Sequence, residues 1–104
     1  MDTMTVEELA VRSKSGDVLL LDVREPAEIA IAAVAGATCI PMGEIPARLG
    51  DLDRARSIAV MCHHGGRSEK VAALLTAAGF TSVFNIEGGI DAYSRRVDPA
   101  IPTY

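Results

Sequence analysis

The chain has 104 residues, of which 49% are hydrophobic and 23% charged, a composition typical of one globular domain over residues 1–104 rather than of a disordered chain. Its 14 Asp and Glu residues outnumber its 10 Lys and Arg residues, which disfavours a nucleic-acid-binding protein because such proteins carry a basic face. The longest uncharged run, residues 29–42, is shorter than the roughly 20 residues that span a bilayer, so we expect no membrane partner.

The first part of the chain predicts a helix followed by a buried strand. Thr5 and Glu8 have the spacing of a capping box, which predicts a helix over residues 5–13 that ends near Gly16. Residues 18–23 then form an apolar run of strand length. Such a run is typical of a strand that is buried on both faces, as in a parallel sheet covered by helices.

The next stretch predicts short elements that are separated by proline and glycine. Pro26 lies among glutamates, as at a helix start, and the alanine-rich stretch that follows is expected to pack closely up to Gly36. Residues 38–40 predict a brief strand stopped by Pro41. Residues 44–49 predict a helix of one or two turns.

The C-terminal half predicts four further elements and a tail. They are a strand over 57–61, a helix from Ser68 that is capped at Gly79, a strand over 83–86, a helix over 90–95, and a surface tail over 97–104 that we expect to be extended. Strands that alternate with helices predict a three-layer α/β domain with a largely parallel sheet.

Cys62 lies where a buried strand ends and a helix begins. Ligand sites of α/β sheets lie at the carboxyl ends of the strands. Gly65 and Gly66 can adopt positive φ and let the loop curl, so that consecutive N–H groups point inward and form an anion nest. The helix that starts near Ser68 adds partial positive charge. These features predict a lowered pKa for the Cys62 thiol, and the thiolate is the reactive form.

The rest of the segment CHHGGRS suits an anionic substrate. The guanidinium of Arg67 can grip an oxyanion in bidentate fashion, and His63 and His64 can add charge or hydrogen bonds near neutral pH. The pattern suits a sulfur nucleophile that attacks an anionic donor and then holds a second, negatively charged sulfur. The predicted catalytic residue is therefore Cys62, and the predicted substrate-binding residues are His63, His64, Gly65, Gly66, Arg67 and Ser68.

Four segments resemble the hallmarks of a known family. They are LLLDVREPAEI, AGATCIPMGEI, CHHGGRS and FNIEGGIDAYSRRVDPAIP. Together they cover nearly all of the chain and resemble a single-domain rhodanese-like sulfurtransferase. The resemblance implies a three-layer α/β/α fold with a central, mainly parallel five-stranded sheet. It also implies that a Cys62 persulfide moves sulfane sulfur from a donor such as thiosulfate to cyanide, a thiol or a sulfur-carrier protein, without a cofactor.

The chain departs from the family pattern at two places. Residues 32–35 read Ala-Ala-Val-Ala where the family usually has Gly-His-Ile-Pro, so the customary histidine is absent. Tyr93 follows the glycine pair where the family often has tryptophan. The first departure bears on local packing more than on catalysis, because that histidine is thought of mainly as structural.

Two other functions compete with sulfur transfer. Phosphatases and arsenate reductases of the same fold use Cys-x5-Arg, whereas four residues separate Cys62 from Arg67 here, and the smaller loop suits a sulfur atom better than a phosphate. Non-catalytic rhodanese-like modules that only bind protein partners commonly lack the loop cysteine. The ending VDPAIPTY resembles the tails of rhodanese domains fused to adenylating enzymes that activate sulfur-carrier proteins, so a sulfur-carrier protein is an alternative to cyanide as acceptor.

The two cysteines also bear on the compartment. Two thiols do not make a disulfide framework, and residues 1–8 lack the basic and apolar regions of a signal peptide, so we expect a cytoplasmic protein. Cys39 lies in a short apolar strand and is expected to be buried and inert. We expect no metal, because Cys62 and its two neighbouring histidines cannot easily converge on one ion.

Two groups are interpreted as structural. Asp22, Arg24 and Glu28 are expected to form an ion-paired structural cluster at a strand end rather than to act as catalytic groups. Gly88 and Gly89 lack the spacing of a dinucleotide fingerprint and are expected to form a turn.

Overall fold

The computed structural model describes residues 1–104 and consists of a five-stranded sheet with helices on both faces. The strands are β1 (Asp2–Met4), β2 (Leu19–Asp22), β3 (Thr38–Cys39), β4 (Ile58–Met61) and β5 (Val83–Ile86). The helices are α1 (Val6–Ser15), α2 (Pro26–Ile31), α3 (Gly66–Ala77) and α4 (Gly89–Arg96), and two 3-10 segments span Met42–Glu44 and Pro46–Asp51.

Every strand pair is parallel, and the strand order is β1-β5-β4-β2-β3. The predicted three-layer α/β fold with a parallel five-stranded sheet is therefore confirmed. β4 lies at the centre between β5 and β2, and all four of its residues are buried. The residue that follows β4 is Cys62, so the middle of the sheet holds the predicted nucleophile in place.

Alternate side chains of β4 enter two separate cores. Ile58 and Val60 pack with α3 and the 3-10 segments on one face of the sheet. Ala59 and Met61 pack with α1 and α4 on the other face. This alternation follows from the period of two in a β-strand, and it explains why a central strand is apolar throughout.

The predicted first helix is present with its capping signals. Thr5 accepts a hydrogen bond from the backbone N–H of Glu8, and the Glu8 side chain reaches back to Thr5, which completes the capping box. The helix ends at Gly16, which has φ +75°. β1 was not predicted as an element because its three residues are too short for a periodicity. Its pairing with β5 makes it a strand.

Other boundaries differ from the predicted ones. α2 ends at Ile31 rather than at Gly36, because Ala32 is extended and its carbonyl accepts a hydrogen bond from buried Arg24. The helix predicted over 44–49 is present as the two 3-10 segments, with a non-helical Arg48 inside the second. None of the helices combines the length and apolar character that crossing a bilayer requires.

The tail after α4 does not run extended across the surface as predicted. The backbone N–H groups of Val97 and Asp98 both donate to the carbonyl of Tyr93, and Ser94 donates to the carbonyl of Ile101. The chain is thereby folded back, and Tyr104 reaches the residues around Cys62.

Candidate active site

The Cys62 sulfur lies inside the curl of the loop that joins β4 to α3. Cys62 is 1% exposed. Its Sγ accepts hydrogen bonds from the Gly65 N–H at 3.1 Å and from the Ser68 hydroxyl at 3.4 Å. The loop is thus wrapped around the sulfur, as an anion nest requires.

Gly65 makes this curl possible. It precedes α3 with φ +119°, a conformation that side chains rarely allow. Gly66 has no positive φ and begins α3, so its predicted part in curling the loop is wrong. α3 also begins two residues earlier than the predicted start at Ser68, which brings its N-terminus closer to the sulfur.

The net effect of the loop is to lower the pKa of the Cys62 thiol. Burial raises this pKa, because it disfavours the charged thiolate. The Ser68 hydroxyl and the backbone N–H groups of Ser68, Gly65 and Arg67 lower it, and together they outweigh burial. This is the direction predicted from the sequence.

Asn85 supports the loop from β5, and the sequence did not identify it. Its Oδ1 lies 2.5 Å from the Ser68 hydroxyl oxygen, and the single proton of that hydroxyl can be donated either to Oδ1 or to the Cys62 sulfur. Its Nδ2 donates to the Gly65 carbonyl at 3.3 Å. An asparagine within an otherwise apolar, buried strand is the signal that would have found it. Asn85 therefore contacts both of the residues, Gly65 and Ser68, whose polar groups lie against Sγ.

The start of α4 holds the opposite side of the loop. The N–H groups of Ile90 and Asp91 donate to the carbonyls of Cys62 at 2.9 Å and His63 at 3.1 Å. Gly89 has φ +59°, and a Cβ there would lie 2.5 Å from the Cys62 carbonyl oxygen. Gly88 and Gly89 are therefore more than the expected turn, since Gly89 lets α4 approach the loop backbone.

Arg67 does not turn into the loop to grip an oxyanion. Its Nη1 and Nη2 donate to the two carboxylate oxygens of Glu28 at 2.7 and 2.8 Å. This pair holds the pKa of Glu28 at about 2, well below its ordinary value. The guanidinium of Arg67 is thus in an ion pair at the mouth of the loop, and the Arg67 backbone N–H favours the Cys62 thiolate. Its grip on a substrate oxyanion stays a prediction.

Of the three residues expected to form an ion-paired cluster, Asp22 and Arg24 are paired with each other and Glu28 is not. Arg24 is fully buried and bonds the Asp22 carboxylate through Nε and Nη2, the latter at 2.7 Å. Glu28 is paired with Arg67 instead, although its backbone carbonyl accepts from Arg24 at 3.3 Å. The buried pair therefore lies beneath the ion pair at the mouth.

The two histidines follow the nucleophile on the surface side. The ring of His63 stacks on His64 and on Tyr104, with centroids 3.9 Å apart in both pairs. The Nε2 atom of His63 is buried and has no hydrogen-bond partner. Neither histidine side chain donates to the Cys62 sulfur, so their predicted role in substrate binding stays a prediction.

Asp91 lies beside these histidines and was not predicted to be near them. The atoms of His63, His64 and Asp91 that could ligate a metal lie within 4.8 Å of one another, a group that does not include Cys62. The Asp91 carboxylate already accepts a hydrogen bond from Arg95 at 3.1 Å. That the protein needs no metal stays a prediction.

Cys39 is exposed, which corrects the prediction that it is buried. It lies on β3, a two-residue strand at the edge of the sheet, where one side has no neighbouring strand. Partial burial of the thiol, followed by the nearby Asp22 carboxylate, raises its pKa. The thiolate of Cys39 is therefore disfavoured, in contrast to that of Cys62.

Comparison with curated proteins finds relatives over most of the chain. It is 47% identical over 89 residues to the chloroplastic rhodanese-like/PpiC domain-containing protein 12 of Arabidopsis thaliana, covering 82% of this chain and 30% of that protein. It is 39% identical over 85 residues to a sulfurtransferase of Allochromatium vinosum, covering 82% and 79%. It is 34% identical over 93 residues to an adenylyltransferase and sulfurtransferase of Zea mays, covering 83% and 20%. The chain thus spans less than a third of the two plant proteins.

Solved structures share the whole fold. A rhodanese-related protein from Thermoplasma volcanium matches with a TM-score of 0.87 and 29% identity, over 100% of both chains. A protein of unknown function and possible tyrosine phosphatase from Rhodopseudomonas palustris matches with a TM-score of 0.81 and 25% identity, over 100% of this chain and 85% of that one. The family model for the rhodanese-like domain matches residues 5–96. The chain therefore belongs to the rhodanese-like domain family.

Proposed function

We propose that this protein is a sulfurtransferase that carries sulfur on Cys62 as a persulfide. The observation that supports the proposal is the position of Sγ, which accepts hydrogen bonds from the Gly65 N–H and the Ser68 hydroxyl at the start of α3. These donors favour a negative charge at the sulfur. The sulfurtransferase relative supports the same function.

In the first step, the Cys62 thiolate attacks the outer sulfur of a donor such as thiosulfate. A new S–S bond forms to Cys62, the S–S bond of thiosulfate breaks, and sulfite leaves with the electron pair. The product is a cysteine persulfide whose outer sulfur is an anion. No carboxylate or imidazole bonds the Cys62 sulfur, and none is required, because the thiol is already acidified by its hydrogen-bond donors.

In the second step, an acceptor nucleophile attacks the outer sulfur of the persulfide. The bond between the two sulfurs breaks, the outer sulfur leaves on the acceptor, and Cys62 returns to the thiolate. With cyanide the product is thiocyanate, and with a thiolate it is a persulfide of the acceptor. The same donors that held the persulfide then stabilise the returning thiolate.

A phosphatase or arsenate reductase is the second candidate, because the Rhodopseudomonas palustris neighbour is described as a possible tyrosine phosphatase. Such chemistry needs several donors around a tetrahedral oxyanion. Here Arg67 is engaged by Glu28, and only four residues lie between Cys62 and Arg67. Both observations favour a single sulfur atom as the group that the loop holds.

A non-catalytic binding module is the third candidate. Such modules commonly lack the loop cysteine, whereas Cys62 is present here with a lowered pKa. Nucleophilic chemistry requires a thiol with a lowered pKa, whereas the binding of a protein partner does not. The acidified thiol thus favours an enzyme over a binding module.

The test is the formation of thiocyanate from thiosulfate and cyanide. We expect turnover by the wild type, loss of turnover in Cys62→Ser, and full activity in the matched control Cys39→Ser. Intact-mass measurement after thiosulfate treatment should show a gain of about 32 Da for one sulfur, which cyanide removes. Hydrolysis of a phosphate ester without any thiocyanate would establish the phosphatase instead.

The biological acceptor is proposed to be a thiol or a sulfur-carrier protein. The tail sequence and the likeness to the adenylyltransferase and sulfurtransferase of Zea mays support a carrier protein. Pull-down from cells starved of sulfur-containing cofactors should recover it, and its consistent absence would count against this acceptor. The cytoplasmic location also stays a prediction, which cell fractionation would test.

A further inference from the structure

Tyr104 lies against the active loop and is held there by its side chain. Its ring stacks on His63 with a centroid separation of 3.9 Å and an angle of 4° between the planes. Its hydroxyl accepts a hydrogen bond from Nη1 of Arg24 at 2.9 Å and donates to Oε1 of Glu28 at 3.1 Å. Residues 102–104 make no backbone–backbone hydrogen bond, so the position of Tyr104 depends on these side-chain contacts.

The partners of Tyr104 lie on both sides of the mouth of the loop. His63 follows the nucleophile directly. Glu28 holds Arg67, which closes the loop at its other end, through two hydrogen bonds. The Tyr104 side chain therefore contacts His63 at one end of the loop and Glu28, the partner of Arg67, at the other. In this arrangement Cys62 is 1% exposed.

The contacts of the Tyr104 side chain are few enough for the ring to move away from the loop. Tyr104 is 37% exposed, and the two groups that bond its hydroxyl, Arg24 and Glu28, are also bonded to each other through the Glu28 backbone carbonyl. Movement of the ring would uncover one face of the His63 ring and would leave Nη1 of Arg24 without its bond to the phenol. With the ring in place Arg24 is fully buried.

We infer that Tyr104 is a specificity-determining residue, which limits the acceptors of the Cys62 persulfide by their size. This inference rests on the proposed function. With the ring seated, small nucleophiles reach the outer sulfur. A bulky thiol must first displace the ring from His63. Transfer itself is unchanged: the acceptor thiolate attacks the outer sulfur, the S–S bond breaks, and the Cys62 thiolate is restored.

The test compares two thiols that differ in size, 2-mercaptoethanol and glutathione, on enzyme already loaded with sulfur. The rate of each transfer is followed by the loss of about 32 Da from the intact protein. In Tyr104→Ala we expect the glutathione rate to rise about tenfold relative to the mercaptoethanol rate, which is the factor that one hydrogen bond to a charged group represents. Tyr104→Phe loses both hydroxyl hydrogen bonds but keeps the stacked ring, so its ratio should lie between that of the wild type and that of Tyr104→Ala.

Thr103→Ala is the matched control, because Thr103 is exposed on the same tail and should leave the ratio unchanged. Equal changes for both thiols, or no change in Tyr104→Ala, would overturn the inference and leave the sulfurtransferase proposal intact. Loss of sulfur loading in Tyr104→Ala alone would also overturn it, because Tyr104 would then support the loop rather than select acceptors. A wild type that gains no sulfur from thiosulfate would overturn both.

Discussion

Replacing Gly65 with alanine should lower the reactivity of Cys62 although the added methyl group clashes with no neighbouring atom. Gly65 has φ +119°, and a Cβ there would have no neighbour closer than the Ile86 carbonyl oxygen at 3.8 Å. The cost is therefore conformational rather than steric, about 1–3 kcal/mol for an L residue held in a sparsely allowed region. The backbone can relieve this cost by rotating the 64–65 peptide, which moves the Gly65 N–H away from the Cys62 sulfur.

The rotation removes one of the hydrogen bonds that favour the thiolate. The Gly65 N–H lies 3.1 Å from Sγ, and a hydrogen bond to a charged group contributes about 1.5–3 kcal/mol. We therefore expect the pKa of Cys62 to rise in Gly65→Ala and the rate of thiocyanate formation at neutral pH to fall roughly ten- to a hundredfold. The thiolate is titrated by its ultraviolet absorbance, with Cys62→Ser as the blank.

Gly66→Ala is the matched control for this prediction. Gly66 has no positive φ, and a Cβ there would meet nothing within 4 Å. We expect wild-type turnover and a gain in stability of up to about 1 kcal/mol, because alanine is favoured over glycine in a helix. If Gly65→Ala kept both the thiolate pKa and the turnover of the wild type, the Gly65 amide would not be a determinant of reactivity.

Three further predictions concern the groups around the loop. Ser68→Ala should raise the pKa of Cys62, because a hydroxyl that favours the thiolate is lost, and the pH–rate profile should move to higher pH. Glu28 has a pKa of about 2 in the fold against an ordinary 4.5, so its stabilising effect is present above pH 4.5 and is lost as the pH falls towards 2. The difference in urea midpoint between the wild type and Glu28→Gln should therefore shrink over this range. Gly89→Ala should destabilise the fold by about 2 kcal/mol or more, measured by urea unfolding, because its Cβ overlaps the Cys62 carbonyl.

Each of these has a result that would count against it. An unchanged pH–rate profile in Ser68→Ala would show that the Ser68 hydroxyl does not lower the pKa of Cys62. A constant difference in urea midpoint from pH 5 to pH 2.5 would show that the Glu28 carboxylate does not stabilise the fold through its charge. For Gly89, the comparison is Gly43→Ala, where a Cβ meets nothing within 4 Å, and equal stability of the two variants would contradict the overlap.

The parts of the protein that could be predicted from sequence are those specified by neighbouring residues. Three local signals led to the observed elements: the capping box of Thr5 and Glu8, the apolar run of β4, and Gly65 in the loop after Cys62. Cys62 could be singled out because the end of a buried strand and the start of a helix meet at that residue. The resemblance to the family supplied the number of strands.

The parts that could not be predicted depend on contacts between distant residues. Arg67 looked free to grip an anion because its partner Glu28 lies 39 positions away in the chain. Tyr104 is 76 positions from Glu28, so nothing near it in sequence indicated a return to the loop. Cys39 looked like a core residue because its neighbours are small and apolar. Its exposure follows from β3 being an edge strand, which only the strand order reveals.

The supports of the loop lie late in the chain, and this has a consequence for the protein while it is being made. Cys62 leaves the ribosome before Asn85 and before the α4 residues whose N–H groups bond the carbonyls of Cys62 and His63. A nascent chain that stops short of residue 85 therefore lacks the groups that orient the loop. We therefore expect the loop around Cys62 to take up its final geometry only after the last strand and helix have been synthesised.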